Sequence, residues 1–280
     1  IIKDHIQKIS VQSAQANVSL NDVNNFPIPL PPLPEQQKIA SILTTVDHKI
    51  SSIDQQIQQT EQLKKGLMEK LLTEGIGHTE FKDTKIGRIP ASWEVVKLGE
   101  VADFINGRGF KPHEWGKTGL PIIRIQNLNG SDEYNYYSGT YAPKILIKYG
   151  DLLFAWSGSR GTSFGPYIWT GGDGLLNYHT WKVEFNEKIT RNYLFYESKR
   201  ITAKVENDAH GASALVHMQK RFIVDYLVSL PPLEEQKQIA SILSTVDNKI
   251  DILQSKKISY TTFKKGLMAQ LLTGQMRVKI

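Results

Sequence analysis

Apolar residues recur in steps of three and four at Ile39, Leu43, Val46, Ile50, Ile53 and Ile57, with Gln, Asp, Lys and Ser between them. The same rhythm returns at Ile239, Leu243, Val246, Ile250 and Leu253. This is the heptad seam of a coiled-coil helix. The seam extends through Leu63, Leu67 and Leu71, and through Phe263, Leu267 and Leu271. Each stretch opens on a Pro-Pro pair, which suits a first helical turn and cannot extend the helix inward. Glu35 and Glu235 fall in that first turn, where negative charge suits the helix dipole. The stops are predicted near Thr73-Glu74-Gly75 and Thr273-Gly274. From Glu35 to Leu72 such a helix is about 55 Å long. It cannot bury its seam alone, so the two seams are expected to cover each other.

The two stretches are copies. Leu30-Pro-Pro-Leu-Pro-Glu-Gln-Gln-Lys-Ile-Ala-Ser-Ile-Leu-Thr-Thr-Val-Asp47 returns as Leu230-Pro-Pro-Leu-Glu-Glu-Gln-Lys-Gln-Ile-Ala-Ser-Ile-Leu-Ser-Thr-Val-Asp247, and Lys64-Lys-Gly-Leu-Met68 as Lys264-Lys-Gly-Leu-Met268. At the same offset of 200 residues, Ser13-Ala14 falls on Ser213-Ala214 and Phe26–Leu30 on Tyr226–Leu230. The repeating unit is therefore a domain plus its helix. Residues 1–29 are expected to be the tail of a preceding domain, 30–77 a first spacer helix, 78–229 a complete domain and 230–280 a second spacer helix. The first residue is Ile1, and the expectation is that further sequence belongs before it.

Between the copies the pattern changes to short β-type runs bounded by Gly, Asn and Pro. They are Glu94–Leu98, Val101–Ile105, Pro121–Ile125, Lys144–Ile147, Asp151–Trp156 and Tyr178–Val183. Gly75–Pro90 reads as a linker, Arg191–Asn207 as a helix and Met218–Val224 as a shorter one. Few strand–helix–strand alternations occur, so the class is α+β, with a mixed, mostly antiparallel domain carrying long loops.

Charge changes the picture at those loops. The chain carries 34 Lys and Arg against 28 Asp and Glu, a net charge of +6, which suits a nucleic-acid partner. Asn106-Gly-Arg-Gly-Phe-Lys111 and Ser157-Gly-Ser-Arg-Gly-Thr-Ser163 each follow a strand. Glycine admits close approach, and Arg and Asn can pair with base edges in two-pronged fashion. The DNA-contact candidates are Arg108, Lys111, Arg124, Asn127, Ser157, Ser159, Arg160, Tyr178 and His179, with Lys204, Lys220 and Arg221 placed on phosphate. His210-Gly-Ala-Ser213, just before the shorter helix, belongs to the same polar surface. Solvated loops with turn glycines are the competing reading.

Catalytic signatures are missing. There is no cysteine, which removes disulfides, thiolate metal sites and a cysteine nucleophile and fits a reducing compartment, so a cytoplasmic protein is expected. No apolar run reaches transmembrane length. Asp103–Gly109 faintly mimics a cofactor-binding glycine loop, but proline-broken sequence follows instead of a helix. Glu197-Ser-Lys199 has nuclease-like spacing with Asp173 upstream, and the seven histidines form no metal cluster.

The motif Leu-Pro-Pro-Leu-x-Glu-Gln-x-x-Ile-Ala-x-Ile-Leu, the Val-Asp-x-Lys-Ile that follows and the Lys-Lys-Gly-Leu-Met ending resemble the specificity subunit of type I restriction-modification enzymes. Ile89-Pro-Ala-Ser-Trp93-Glu-Val-Val-Lys-Leu-Gly-Glu-Val101 resembles the start of its target-recognition domains, and Gly150-Asp-Leu-Leu153 with Gly158-Ser-Arg-Gly161 is a weaker similarity. The resemblance covers essentially the whole chain. It implies two recognition domains, each reading half of a split DNA site, held apart by two antiparallel helices. It implies no catalytic residue and no cofactor in this chain. Two methyltransferase subunits would use S-adenosylmethionine, and restriction–translocase subunits would use ATP and Mg2+. The family includes half-size subunits that pair, so a second copy of this chain is a further implied partner. A coiled-coil scaffold, or a nuclease or methyltransferase with unfamiliar motifs, is the alternative.

Overall fold

Proline sets both helix starts. In the computed structural model, which describes residues 20–26, 28–208 and 215–279, the backbone N–H groups of Glu35 and Gln36 bond Pro32 O, and that of Gln236 bonds Pro232 O. A short helix α1 (Leu20–Asn24) precedes the long α2 (Leu33–Thr73). A hairpin, β1 (Phe81–Thr84) and β2 (Gly87–Pro90), leads to β3 (Glu94–Lys97) and β4 (Ala102–Asn106). Then come β5 (Leu120–Ile123), the one-turn α3 (Ile125–Leu128), β6 (Asn135–Tyr137), β7 (Leu146–Ile147), β8 (Leu152–Ala155), β9 (Ser157–Ser159), β10 (Gly165–Ile168), β11 (Gly174–Leu176) and β12 (Thr180–Phe185). The described chain closes with α4 (Arg191–Asp208), β13 (Leu215–His217), α5 (Lys220–Asp225), β14 (Leu227–Leu230) and α6 (Leu233–Leu271). It divides into two units, Ile1–Gln62 with Asn248–Ile280, and Leu63–Asp247.

In the first unit, α2 and α6 run antiparallel. Asp47 pairs with Lys264 at 2.5 Å and Asp54 with Lys257 at 2.6 Å; one number rises by seven as the other falls by seven. Ile39, Val46, Ile53, Ile250, Leu253 and Leu271 are buried, and Leu43, Ile50 and Ile57 are half-buried. Full burial of each such side chain contributes about 1.5–3 kcal/mol. Glu35 accepts Arg277 Nε and Nη2 at 2.7 and 2.6 Å and the Val278 N–H at 3.2 Å.

The second unit is built on the four-stranded sheet β10-β8-β12-β4, with α4 against β10. A second sheet, β6-β5-β11-β7, holds the one parallel pair among the described strands, β11 with β5. β8 is buried on both faces. Leu152 and Phe154 enter the main core with Trp93, Phe104, Trp181 and Tyr193, while Leu153 joins Ile123, Ile147, Trp169 and Leu176. Leu71 and Leu72 from α2, and Ile239, Ala240 and Leu243 from α6, lie in the main core. The second unit thus takes in the end of α2 and the start of α6. Tyr193 donates to Ser229 O, and Ser229 Oγ donates to Leu72 O, both at 3.1 Å. Lys64 pairs with Asp247 in this unit, at the repeat-equivalent positions of Lys264 and Asp47.

The α+β class and the long helices are as the sequence predicts; several boundaries differ. The Gly75–Pro90 linker contains a hairpin, closed by Thr84 Oγ1 on Gly87 O at 2.7 Å. Strand β5 stops at Ile123, so Ile125 opens a helical turn. Pro143–Ile145 forms a 3-10 turn in place of a longer strand. Met218 is not helical, because its N–H is drawn to Trp156 O at 2.8 Å. Leu63 and Phe263 leave the apolar seam and are 56% and 55% exposed. Most of the expected 1–29 tail, including Ser13-Ala14, and His210-Gly-Ala-Ser213 lie outside the described residues.

Candidate nucleic-acid interface

Four segments at one end of the main sheet are tied together by backbone hydrogen bonds. Gly107 N–H donates to Thr180 O at 3.1 Å and Arg108 N–H to Leu176 O at 2.9 Å. Trp156 N–H donates to His179 O at 3.2 Å, and its indole Nε1 to Tyr178 O at 3.0 Å. Across the β9–β13 ribbon, Ser157 faces His217 and Ser159 faces Leu215. The loops after β4, β8 and β11 and the strand before α5 therefore share one edge. Gly107 is required there, since a Cβ would stand 2.1 Å from Asn177 O.

The edge is stiffened by aromatic packing. Phe154 stacks on Trp181 at 5.8 Å between ring centres, and Trp181 on Trp156 at 6.0 Å. Trp156 meets His179 edge-on at 5.5 Å, and His179 lies 3.7 Å from Tyr178. Tyr178, at the open end, is 47% exposed. Burial first, and the nearby His217 second, hold the His179 imidazole below its usual 6.5. Exposed Arg160, Leu215 and His217 and half-buried Ser159 flank this ladder.

The sequence candidates separate into groups. Arg108, Ser157, Ser159, Arg160, Tyr178 and His179 are brought to the edge. Arg108 is clamped: its guanidinium lies 4.8 Å from the Phe110 and Tyr137 rings and pairs with Glu114. Lys111 is exposed, while its N–H donates to Glu114 at 2.8 Å. Ser157 is buried. Arg124 follows Ile123, whose carbonyl accepts Asn177 N–H at 3.0 Å, and its guanidinium stacks 5.3 Å from Trp115. Asn127 is a correction. It is 6% exposed, and its amide N–H groups are spent on Ser131 O at 3.0 Å and Glu133 O at 2.9 Å. Its Oδ1 accepts Arg124 N–H at 3.0 Å, so it shapes the turn rather than facing a base. Lys204 lies in α4, and Lys220 and Arg221 open α5.

The Glu197-Ser-Lys199 tripeptide lies within α4. Glu197 is fully buried and held by Arg200 Nε and Nη2 at 3.0 and 2.5 Å, and Lys199 lies 4.5 Å over the Phe195 ring. No group of three or more metal-type ligands occurs among the described residues, and no described helix is long and apolar enough to cross a membrane.

Sequence reasoning gave Glu35 and Glu235 only a helix-dipole role and gave Gln36 and Gln236 none. Glu235 accepts Ile76 N–H at 2.9 Å, His78 Nε2 at 2.7 Å and Trp93 Nε1 at 2.9 Å. Gln236, fully buried, accepts Thr190 N–H at 2.8 Å and donates to Lys188 O and Pro231 O, both at 2.9 Å. The identity of both residues in the two copies was the available signal. Glu114, Trp115 and Tyr137, which fix the two arginines, left no pattern in the sequence.

A protein-family description, type I restriction modification DNA specificity domain, matches residues 1–62 and 90–259. The specificity subunit of type I restriction enzyme MjaVIII from Methanocaldococcus jannaschii is 34% identical over 271 residues, covering 91% of this chain and 63% of that protein. The EcoBI specificity subunit from Escherichia coli is 28% identical over 191 residues, 66% of this chain and 40% of that protein. The solved HsdS subunit from Thermoanaerobacter tengcongensis shares the fold with a TM-score of 0.57 at 20% identity, over 98% of this chain and 68% of that one. A chain from a structure on complex assembly and conformational transition of the type I R-M system gives 0.62 at 19% identity, over 98% and 69%. The chain spans 63% of the length of the MjaVIII relative, less than two thirds. Matched over most of its length, and 34% identical to that relative, the chain belongs to the type I restriction modification DNA specificity domain family.

Proposed function

We propose that this chain is a non-catalytic DNA-recognition module. It reads one half of a bipartite duplex site and directs adenine methylation and cleavage by partner subunits. The observation that carries this reading is the edge where the loops after β4, β8 and β11 and the strand before α5 are joined by backbone hydrogen bonds, with Arg108, Arg160, Tyr178 and His179 on it. Its stacked rings hold the side chains in place before DNA arrives, which lowers the ordering cost of binding. Arg160 and Tyr178 are assigned to base edges and Lys111 to phosphate. S-adenosylmethionine, ATP and Mg2+ belong to the methyltransferase and restriction–translocase partners in this reading. The buried, Arg-paired Glu197 speaks against the nuclease alternative.

A second copy of this chain is proposed as a further partner. In the first unit an apolar groove of about 600 Å³ is lined by Ile28, Leu30, Ala40, Leu43 and Leu272. At the repeat-equivalent positions of the last four, Leu230, Ala240, Leu243 and Leu72 are buried in a folded domain. A like domain is the fitting cover.

The test is methylome sequencing of cells expressing the chain with its methyltransferase, followed by binding of that complex to the motif duplex and a scrambled one. Discrimination of about a thousandfold or more is expected, and Tyr178→Ala and Arg160→Ala should each lose about 1–3 kcal/mol of it. Equal binding to both duplexes refutes recognition. A palindromic split motif supports self-pairing, and an asymmetric one rejects it. Methyl transfer by this chain alone would overturn the non-catalytic assignment.

A further inference from the structure

We infer that the cleft between the β1–β2 turn, α4 and α5 is a second nucleic-acid contact, which grips backbone phosphates and reads no base. It deepens the DNA-recognition reading above and rests on it. The cleft has a volume of about 630 Å³ and is lined by Lys85, Arg200, Lys204, Arg221, Phe222 and Tyr226. Its cations come from three separate stretches of chain. Lys85 stands on the hairpin turn, Arg200 and Lys204 lie one helical turn apart on α4, and Arg221 belongs to α5.

The local acids are already matched. Glu197 is sealed beneath Arg200, bound by Nε and Nη2. Asp225 takes Lys97 Nζ at 2.9 Å and lies 3.7 Å from Arg221 Nε. Lys85 and Lys204 have no carboxylate partner among the described residues, so the cleft keeps a cationic surplus. Arg200 is the preorganised member. Glu197 grips two of its nitrogens and fixes the guanidinium plane, leaving Nη1 unbonded by the described residues. A fixed fork of N–H groups suits a phosphate. Lys204 Nζ lies 6.0 Å over the Tyr226 ring, and Phe222 is exposed, so the walls between the cations are aromatic.

The cleft also adjoins the loop edge in the chain. His217 ends β13 opposite Ser157, and Lys220 opens α5 three residues later. On the other wall, Gly161 N–H of the β9–β10 loop donates to Glu206 at 2.7 Å, two residues after Lys204. Both walls thus lead directly to the loops assigned to bases. That contiguity favours a duplex crossing both surfaces over an acidic face of a partner protein.

The test uses the full chain and a labelled duplex of random sequence, so that only backbone contacts count. In Lys204→Ala/Arg221→Ala both side chains are exposed, and retained tryptophan emission checks that the fold persists. Losing two phosphate contacts should make the slope of log affinity against log salt shallower by about 1.8, and weaken binding by up to about 60-fold near 0.1 M salt. The ratio of target to random affinity should stay unchanged. If wild type binds but the variant matches its slope and affinity, the cleft assignment fails and the loop assignment stands. If wild type binds neither duplex, the DNA reading itself fails, and this inference with it. A variant that keeps wild-type DNA binding but no longer co-purifies with the methyltransferase would make the cleft a protein-docking face and overturn the inference.

Discussion

Gln36 and Gln236 occupy the same place in two copies of one motif, yet their surroundings differ, and this gives an internally controlled experiment. Gln236→Ala unpairs three groups: the carbonyl of Pro231, in a buried bond, and the Thr190 N–H just before α4 and the carbonyl of Lys188, in part-buried ones. Each unsatisfied buried group costs about 1–3 kcal/mol. Water entering the space left by the side chain recovers part of that, so a total of about 3–5 kcal/mol is expected. Gln36 is half-buried and donates to Pro31 O at 2.7 Å. Its replacement should cost only about 0.5–1.5 kcal/mol.

Tryptophan emission suits the assay, because Trp93, Trp115, Trp156, Trp169 and Trp181 all lie between residues 63 and 247. With a urea slope of about 2–3 kcal/mol per molar for a unit of this size, Gln236→Ala should lower the midpoint by about 1.5 M. The Thr190 amide should lose hydrogen-exchange protection in the same variant. Gln36→Ala, followed by helical circular dichroism, should move its transition by less than about 0.8 M. Equal shifts for the two variants, or a loss below about 1 kcal/mol for Gln236→Ala, would refute the claim that this side chain ties the domain to its helix.

Two more outcomes can be checked. Because burial holds His179 below 6.5, the unfolded chain takes the proton first. The stability this residue contributes is full above about pH 6.5 and is lost as pH falls toward its lowered folded-state value. Urea midpoints should therefore drop more steeply between about pH 7 and pH 5 in wild type than in His179→Gln; parallel curves would exclude the effect. DNA phosphate favours the imidazolium, so wild-type binding should also tighten over that range more than the variant's. For the helices, the pairs Asp47–Lys264 and Asp54–Lys257 place the junction after Gln58 opposite the one after Ile252. Inserting four residues at both lengthens the helices by about 6 Å and should widen the unread spacer in the methylated motif. An unchanged spacer would mean that helix length does not set it.

What the sequence disclosed follows from the range of each interaction. The heptad seam is local and repeated, so Ile39, Val46, Ile53, Ile250 and Leu253 could be read directly, and they are buried. The seam misled at Leu63 and Phe263, where apolar residues keep the spacing yet stay more than half exposed. The strands of the domain were legible because short apolar runs end in turn residues. The β1–β2 hairpin was not, because Phe81–Thr84 and Gly87–Pro90 lack alternation and their pairing is what makes them strands. The site shows the same division. Glycine-flanked arginines mark loops, which pointed to Arg108 and Arg160. Nothing in Arg124-Ile-Gln-Asn127 announces that Asn127 turns inward: Asn129-Gly130 marks a turn, but not that the Asn127 amide closes it on the carbonyls of Ser131 and Glu133.

The repeated Glu-Gln admits a more specific account than helix capping. In the second unit Glu235, at the head of α6, accepts the Ile76 N–H and His78 from the segment just past α2. In the first unit Glu35, at the head of α2, accepts Arg277 and the Val278 N–H from the segment just past α6. Residues 78 and 278 are repeat equivalents, so each carboxylate closes the same joint of an antiparallel pair. Gly75 marks how tight one joint is: at φ +67° a Cβ would stand 2.4 Å from Glu235 Oε1. A capping role alone would require only an acidic residue in the first turn, and Glu234 already supplies one. The fixed order Glu-Gln instead divides the labour: the glutamate fastens helix to helix, and Gln236 fastens the domain to the helix. The first unit shows the glutamate's half of that device without the glutamine's, because its Gln36 meets no segment equivalent to residues 188–190 among the described residues.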